Sequence, residues 1–477
     1  NPPTGWGILG DIYSRGWQRT DNTNNFLSFF ATFAYSFKNR YVVNANVRND
    51  ASNVFGQDIN HRIDPTYSFG LSWRASEEAF FQKHLKWITT LNFRGTFGIQ
   101  GNALTRESPE LILSQQGVQP GYNRYFSTIG QIPNPYLSWE RTRNWNFGVD
   151  LELFRMFYMN LEYYTRRSNA VITVDLPFEY GIDDMKRNGG IIYNRGIEYT
   201  LSFTPIQKRD FSLNINLNAS KNWNKGGETK IDRNTAMYLR GGSTQILKEG
   251  YPLSAFWSYS FAGLDGSNGK PMFNYVEVPD EEKSKSIDPT TYLVYSGETE
   301  PYFTGGLGFS FRYKSLSLNT SFSLLLGSKK RLPSPYSDFQ GSGSMMPDPT
   351  KNVNRDLLNR WQKPGDEVYT NIPGLPTWPI EIGWTLPNTD SAESAIEMWE
   401  KSDAMVVSGS FLRCRNIGLS WQMKKEWCDK IHAKNLAINF NMDNIFVIAS
   451  KRFNGFDPEL ENSIMPRSFS LGLNIGF

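Results

Sequence analysis

Residues 25–48 read NFLSFFATFAYSFKNRYVVNANVR, and their alternation decides the fold. The odd positions Leu27, Phe29, Ala31, Phe33, Tyr35 and Phe37 are apolar; the even ones between them are mostly small or polar. A period of two puts one set on each face of a β-strand. Lys38 and Asn39 make a short turn. Tyr41, Val43, Ala45 and Val47 then alternate with Val42, Asn44, Asn46 and Arg48. The two runs predict a hairpin with a tight connection.

The same pattern recurs over 67–74, 145–153, 157–163, 197–203, 211–218, 307–313, 316–326, 436–442 and 469–477, and 85–99 reads as one long strand. About fourteen strands are predicted, most near the ~10 residues that cross a bilayer as a tilted strand. Their spacers are unequal. Those at 38–40, 154–156, 204–210 and 314–315 are short; those at 101–142, 223–251, 263–302, 328–405 and 445–465 are long. Short turns at one end and long loops at the other are the pattern of an outer-membrane barrel. A β-sandwich also alternates, but its polar face meets bulk water and usually carries more charge. Here that face is Asn, Ser, Thr and Gly. A propeller or β-helix needs a fixed repeat period, and none is found.

Composition agrees. The chain has 477 residues, 20% charged, 15% aromatic, with a net charge of +3. That balance excludes nucleic-acid binding by bulk positive charge and an acidic disordered tail as the main content. No run of 18 apolar residues exists, which excludes a helical membrane protein. Cys414 and Cys428 are the only thiols and His61, His84 and His432 the only histidines. They build neither a disulfide framework nor a zinc site, so no metal and no cofactor is expected; the two cysteines are either bridged or free. The chain starts Asn-Pro-Pro-Thr, without Met or an apolar leader, as expected after processing or for a start inside a longer protein. It ends on Phe477, closing an alternating run. A terminal aromatic there looks like the signal read by the barrel-insertion machinery, and implies a native C-terminus.

Several segments resemble the SusC/RagA family of TonB-dependent outer-membrane importers of Bacteroidetes. PNPYLSWE (133–140), followed by Asn144 and GVD (148–150), looks like the family's most recognisable stretch. NRGIE (194–198), EGYP (249–252) leading to FAGLD (261–265), and 301–306 are similar to others. So are Arg360-Trp361 with KPGD (363–366), SFLR (410–413) with Arg415-Asn416, NIF (444–446) and DPE (457–459). The series is collinear over essentially the whole chain. The resemblance implies an all-β fold: a transmembrane antiparallel barrel of 22 strands with a plugged lumen. This chain, 1–477, would give the C-terminal strands and the long extracellular loops, in the outer membrane of a Gram-negative bacterium. The plug, the TonB box and roughly eight early strands would lie in a remaining N-terminal polypeptide, as a separate chain, since an open sheet edge is not viable in lipid.

No catalytic constellation is present: no H-E-x-x-H, G-x-S-x-G, Walker A or G-x-G-x-x-G. Asp183-Asp184 and Glu281-Glu282 lie in apparent loops, where charges are solvated, and an enzyme is not expected. DGSNG (265–269) faintly resembles a calcium loop but lacks the closing Glu and reads as a plain turn. Function then rests on the lumen and loops. Asn146, Asn214, Asn216, Asn218, Asn319, Asn439 and Asn441 give a neutral hydrogen-bonding wall that suits water, polar solutes or a plug. Sugars bind through aromatic faces and amide or carboxylate hydrogen bonds; peptides bind through backbone hydrogen bonds. Tyr122, Tyr125, Trp378 and Trp384 could serve either ligand, or pack the loops. Tyr41, Trp73, Trp87, Tyr163 and Trp421 suit an interfacial girdle. The resemblance implies that Arg360 and Trp361 help dock a SusD-like surface lipoprotein, that TonB acts through the plug-bearing part, and that barrel–lid units pair. Its implied cargo is oligosaccharide, with oligopeptide as the alternative; a passive porin is the alternative of a different class.

Overall fold

The computed structural model describes residues 25–52, 63–102, 111–229 (apart from 120, 123, 135, 177 and 183), 239–241, 247–274, 289–336, 350, 352–375, 394–460 and 463–477. In chain order the strands are β1 (Phe26–Phe37), β2 (Tyr41–Ser52), β3 (Ile63–Arg74), β4 (Ile88–Asn102), β5 (Ile112–Gln119), β6 (Arg124–Gln131) and β7 (Glu140–Leu153). Next come β8 (Phe157–Asp175), β9 (Asp184–Gln207), β10 (Phe211–Gly226), β11 (Ala255–Tyr259), β12 (Phe261–Leu264), β13 (Pro271–Phe273) and β14 (Leu293–Glu298). The last are β15 (Phe303–Tyr313), β16 (Leu316–Leu326), β17 (Lys329–Arg331), β18 (Val406–Ser408), β19 (Phe411–Gln422), β20 (Asn435–Ala449) and β21 (Ser468–Gly476).

Thirteen of them form one antiparallel sheet in the order β1-β2-β3-β4-β7-β8-β9-β10-β15-β16-β19-β20-β21. That is one strand fewer than the periodicity suggests. The opening hairpin has the expected register, Phe37 opposite Tyr41 and Phe29 opposite Asn49. Its turn places Lys38 and Asn39 at φ 49° and 56°, the left-handed geometry whose twist matches a two-residue hairpin. The run 85–99 begins later than the pattern indicates: β4 starts at Ile88, after a short helix, α1 (Ala79–His84). A second short helix, α2 (Lys425–Lys430), fills the turn between β19 and β20. Among the described residues no helix is long and apolar enough to cross a membrane.

One sheet face carries the aromatic and aliphatic series and remains open: Phe29 is 66% exposed, Phe147 52% and Leu473 60%. Water is a poor solvent for so broad an apolar surface; the hydrocarbon of a bilayer suits it. Within the described sheet, β1 pairs only with β2 and β21 only with β20, so both edges stay open.

Most of the dry core lies outside this sheet, in the long connections 227–302 and 327–410. One cluster holds Leu239, Ala255, Trp257, Tyr259, Leu293 and Met398. The other holds Tyr336, Leu357, Ile396, Trp399 and Met405. The pairs β11–β14 and β17–β18 frame them. The described parts of the connections 227–302 and 327–410 thus form a folded layer at the long-connection end of the sheet. Cys414 and Cys428 are both buried and free, on β19 and α2, so the bridge does not form.

Candidate functional site: the polar wall and the loop layer

Strand alternation sends one parity of each strand to the face opposite the aromatics: the even positions in β2, β3, β7 to β10 and the end of β19, the odd ones in β20. There Asn214 Nδ2 donates to Thr204 Oγ1 (2.8 Å), Asn46 Nδ2 to Ser68 Oγ (3.1 Å) and Ser420 Oγ to Asn439 Oδ1 (2.7 Å). Amides and hydroxyls satisfy one another along the wall, as buried or half-buried polar groups must. A hollow of about 670 Å³ lies on it, lined by Asn216, Asn218, Gly306, Gly308, Ser321 and Arg415. Gly306 keeps the hollow open: a Cβ there would come 2.3 Å from Asn218 Oδ1.

The wall is not neutral throughout. Arg94 Nη2 bridges Asp150 (3.2 Å) and Glu162 (2.8 Å), and Asn92, Asn160 and Asn146 donate to the same carboxylates. Glu162 stands directly opposite Glu198 on β9. This charged sector was legible in the parity of Asp150 and Glu162, which share a face with the asparagines.

At the long-connection end, Arg413 on β19 is 2% exposed. Its Nη2 contacts both Asp457 oxygens (2.6 and 2.7 Å) and Glu459 Oε2 (2.9 Å). Arg415 Nη2 contacts Glu459 Oε1 at 3.1 Å. The DPE stretch is therefore a clasp that ties the connection 450–467 to the wall. Arg452 extends it, donating to the Val406 and Ala404 carbonyls. Deeper in the loop layer, Arg331 donates to the carbonyls of Arg240 and Trp257 and to Ser258 Oγ. Burial and the neighbouring Arg240 lower its pKa to about 10. Burial raises the Tyr336 phenol, whose OH donates to the Pro373 carbonyl.

Of the residues singled out from the sequence, Tyr122 and Tyr125 share the β5–β6 hairpin, and Arg360 and Trp361 lie side by side in a later connection. Tyr122 sits at the tip of the β5–β6 hairpin, 75% exposed. Tyr125 follows in β6, its backbone opposite Val118. Trp378 and Trp384 lie outside the described residues, as do Asp183 and the pair Glu281-Glu282. Arg360 Nη1 donates to the Leu357 carbonyl. Trp361 is half-buried; its indole N–H donates to Glu367 Oε2 at 3.1 Å. It also packs on Gly269, where a Cβ would come 2.4 Å from the ring. Hydrogen bonds from a backbone amide and from the Trp361 indole hold the Glu367 carboxyl below its usual range.

Asp265 accepts from the Ser267 hydroxyl (2.7 Å) and amide (2.8 Å), which holds its carboxyl below its usual range. The segment 265–269 closes on itself as the expected turn, and among the described residues no cluster could hold a metal ion. Tyr41, Trp73, Trp87 and Trp421 lie at the short-turn end on the apolar face, whereas Tyr163 sits farther along that face, opposite Phe147 and Ile197. Phe477 follows β21, its carbonyl accepting from Lys434 Nζ at 2.9 Å.

Comparison with known proteins is consistent with this geometry. The family described as "TonB dependent receptor-like, beta-barrel" matches residues 1–324. The TonB-dependent receptor SusC of Bacteroides thetaiotaomicron is 25% identical over 486 residues, 95% of this chain and 44% of that protein. TonB-dependent receptor P3 of Formosa agariphila is 23% identical, over 96% of this chain and 46% of its own length. Among solved structures, the RagAB peptide transporter superposes with a TM-score of 0.73 at 23% identity, covering 95% of this chain and 48% of that one. The chain spans about half the length of the curated relatives it matches.

Proposed function

Because the chain belongs to the TonB dependent receptor-like β-barrel family, whose members reside in the outer membrane of Gram-negative bacteria, we propose that it is the C-terminal barrel part of a SusC-type importer. The single observation that carries this is the two-sided sheet: an open apolar face for lipid and a hydrogen-bonded polar wall for a filled lumen. The two open edges support a second part of the protein that supplies the plug, the TonB box and the early strands, because unpaired strand edges are not tolerated in lipid. TonB then acts through that plug, and a SusD-like lipoprotein covers the loop layer, in units that pair. The chain performs no covalent chemistry.

The cargo we propose is an oligosaccharide, held by the amides and hydroxyls of the wall and by loop aromatics. Peptide is the other reading, favoured by the likeness to a structure titled a peptide transporter. Mass spectrometry of the cargo that co-purifies with the intact complex separates the two. Planar-bilayer conductance tests the class: a steady open channel through the complex would make it a porin and overturn active import.

Tyr122, Tyr125, Trp378 and Trp384 remain the proposed cargo contacts. Tyr122→Ala is expected to weaken binding of the co-purified cargo by roughly three- to tenfold, the worth of one aromatic face; calorimetry on the complex measures it, and unchanged affinity removes Tyr122 from the site. Arg360 and Trp361 remain the proposed lipoprotein contacts. Gly269→Ala displaces the Trp361 ring, and φ at Gly269 is already +71°, a region L-residues avoid. We expect that variant to retain less lipoprotein through affinity purification, with heat stability of the barrel unchanged. Undiminished retention would leave Trp361 a packing residue.

A further inference from the structure

The short turns are chemically unlike the rest of the chain. The six connections 38–40, 75–87, 154–156, 208–210, 314–315 and 423–434 join successive strands of the large sheet at one end. Together they hold twelve Lys and Arg against five Asp and Glu, a net +7. The whole chain is only +3, so everything else sums to −4. Lys38, Arg155, Lys208, Arg209 and Lys314 are all exposed, and none forms an ion pair among the described residues.

Aromatic rings stand beside these charges. Lys38 Nζ lies 5.3 Å from the Phe37 ring centroid, and Lys314 Nζ 5.3 Å from that of Tyr313. Arg155 follows Phe154, which stacks on Trp87 at 5.7 Å, next to Lys86. In α2 the lysines flank Trp427, which meets Trp421 edge-on at 5.9 Å. Aromatic rings of this kind sit at the level where hydrocarbon gives way to headgroups. Long cationic side chains one residue beyond them reach into the headgroup layer.

We propose that this rim is a binding surface for anionic phospholipid headgroups, in the leaflet that the short turns face. The rim is continuous with the lipid-facing band, its charges ring the sheet end at successive turns rather than forming one patch, and among the described residues no carboxylate pairs with the five named above. Lysine and arginine near an anionic lipid surface are attracted to it, and the attraction falls off within a Debye length. The inference rests on the outer-membrane placement of the family and is independent of cargo.

The test uses the intact complex reconstituted in bilayers mixing equal parts of phosphatidylglycerol and phosphatidylcholine, with one or the other brominated. Bromine quenches the rim tryptophans Trp73, Trp87, Trp421 and Trp427. Quenching should favour brominated phosphatidylglycerol by roughly threefold or more at low salt. In about 1 M NaCl, where the Debye length is about 3 Å, the preference should vanish. The variant K38N/R155N/K208Q/R209Q/K314N should also lose it; asparagine suits the positive φ at Lys38, Arg155 and Lys314. Equal quenching by both lipids in the unmodified complex overturns the proposal, whatever the variant does. If the variant keeps its lipid preference but sheds a periplasmic protein from the complex, the rim docks protein instead and the proposal fails. Cargo binding is unaffected by either outcome, so failure here is distinguishable from failure of the import reading.

Discussion

Arg413→Ala is expected to destabilise the attachment of the connection 450–467 by about 3–5 kcal/mol, the cost of stripping one partner from a buried ion pair. The side chains of Arg413 and Asp457 are 2% and 5% exposed, and the guanidinium spans both carboxylate oxygens. Without it, Asp457 retains its hydrogen bond from the Glu459 amide but has no cation. Hydrogen exchange across 450–467 in the intact complex measures the effect. Exchange should rise there by orders of magnitude while β19 and β20 keep their protection. The double variant R413M/D457L removes both charges and should recover most of the loss, since apolar replacement of a buried pair is often neutral. An alanine variant with unchanged exchange would show that the clasp holds nothing.

Trp399→Ala should cost the loop layer about 3–5 kcal/mol, as for other fully buried large-to-small changes. Trp399 is 1% exposed and meets Tyr336 edge-on, with ring centroids 6.1 Å apart. Its indole N–H donates to the Asn371 carbonyl at 2.9 Å, tying 394–400 to a distant part of the same connection. Alanine leaves a cavity and an unpaired carbonyl together. Limited proteolysis of the complex should then cut within 327–410, with the heat-modified mobility of the barrel unaltered. Trp399→Phe keeps most of the volume and loses only the hydrogen bond, so it should fall between the two. Resistance to protease in the alanine variant would mean the layer is held by other contacts.

The strands were legible in the sequence because each side chain's face follows from its parity, and the solvent on each face differs. Phe29, Phe33 and Phe37 announce one face, Asn214, Asn216 and Asn218 the other. Turn lengths were legible for the same reason, since a two-residue gap such as Lys314-Ser315 between alternating runs admits only the tight hairpin turns. The loop layer was not. Tyr336, Leu357 and Trp399 come from segments far apart in the chain and show no joint period, so nothing local marks them as one core. β19 was recognisable only as the motif around 410–416, because register shifts at Ser321/Phe322 and Cys414/Asn416 interrupt its alternation. The partnership of Arg413 with Asp457 was equally hidden: 44 residues separate them, and a charge inside an apparent strand gives no hint of its counter-ion. The proposed cargo contacts are the least legible part, since an exposed loop tyrosine such as Tyr122 reads alike for a sugar, a peptide or neither.

The order of the large sheet follows the order of the chain, and this separates the lengths of the connections from the geometry of the wall. Ring closure grows only with the logarithm of length, so the connection 327–410 costs about 3 kcal/mol more than a three-residue turn. Its own core offsets that. Insertions or deletions between β16 and β19 therefore leave the register of both strands intact. The wall acts as a fixed frame on which the long connections can change length and sequence without refolding the sheet.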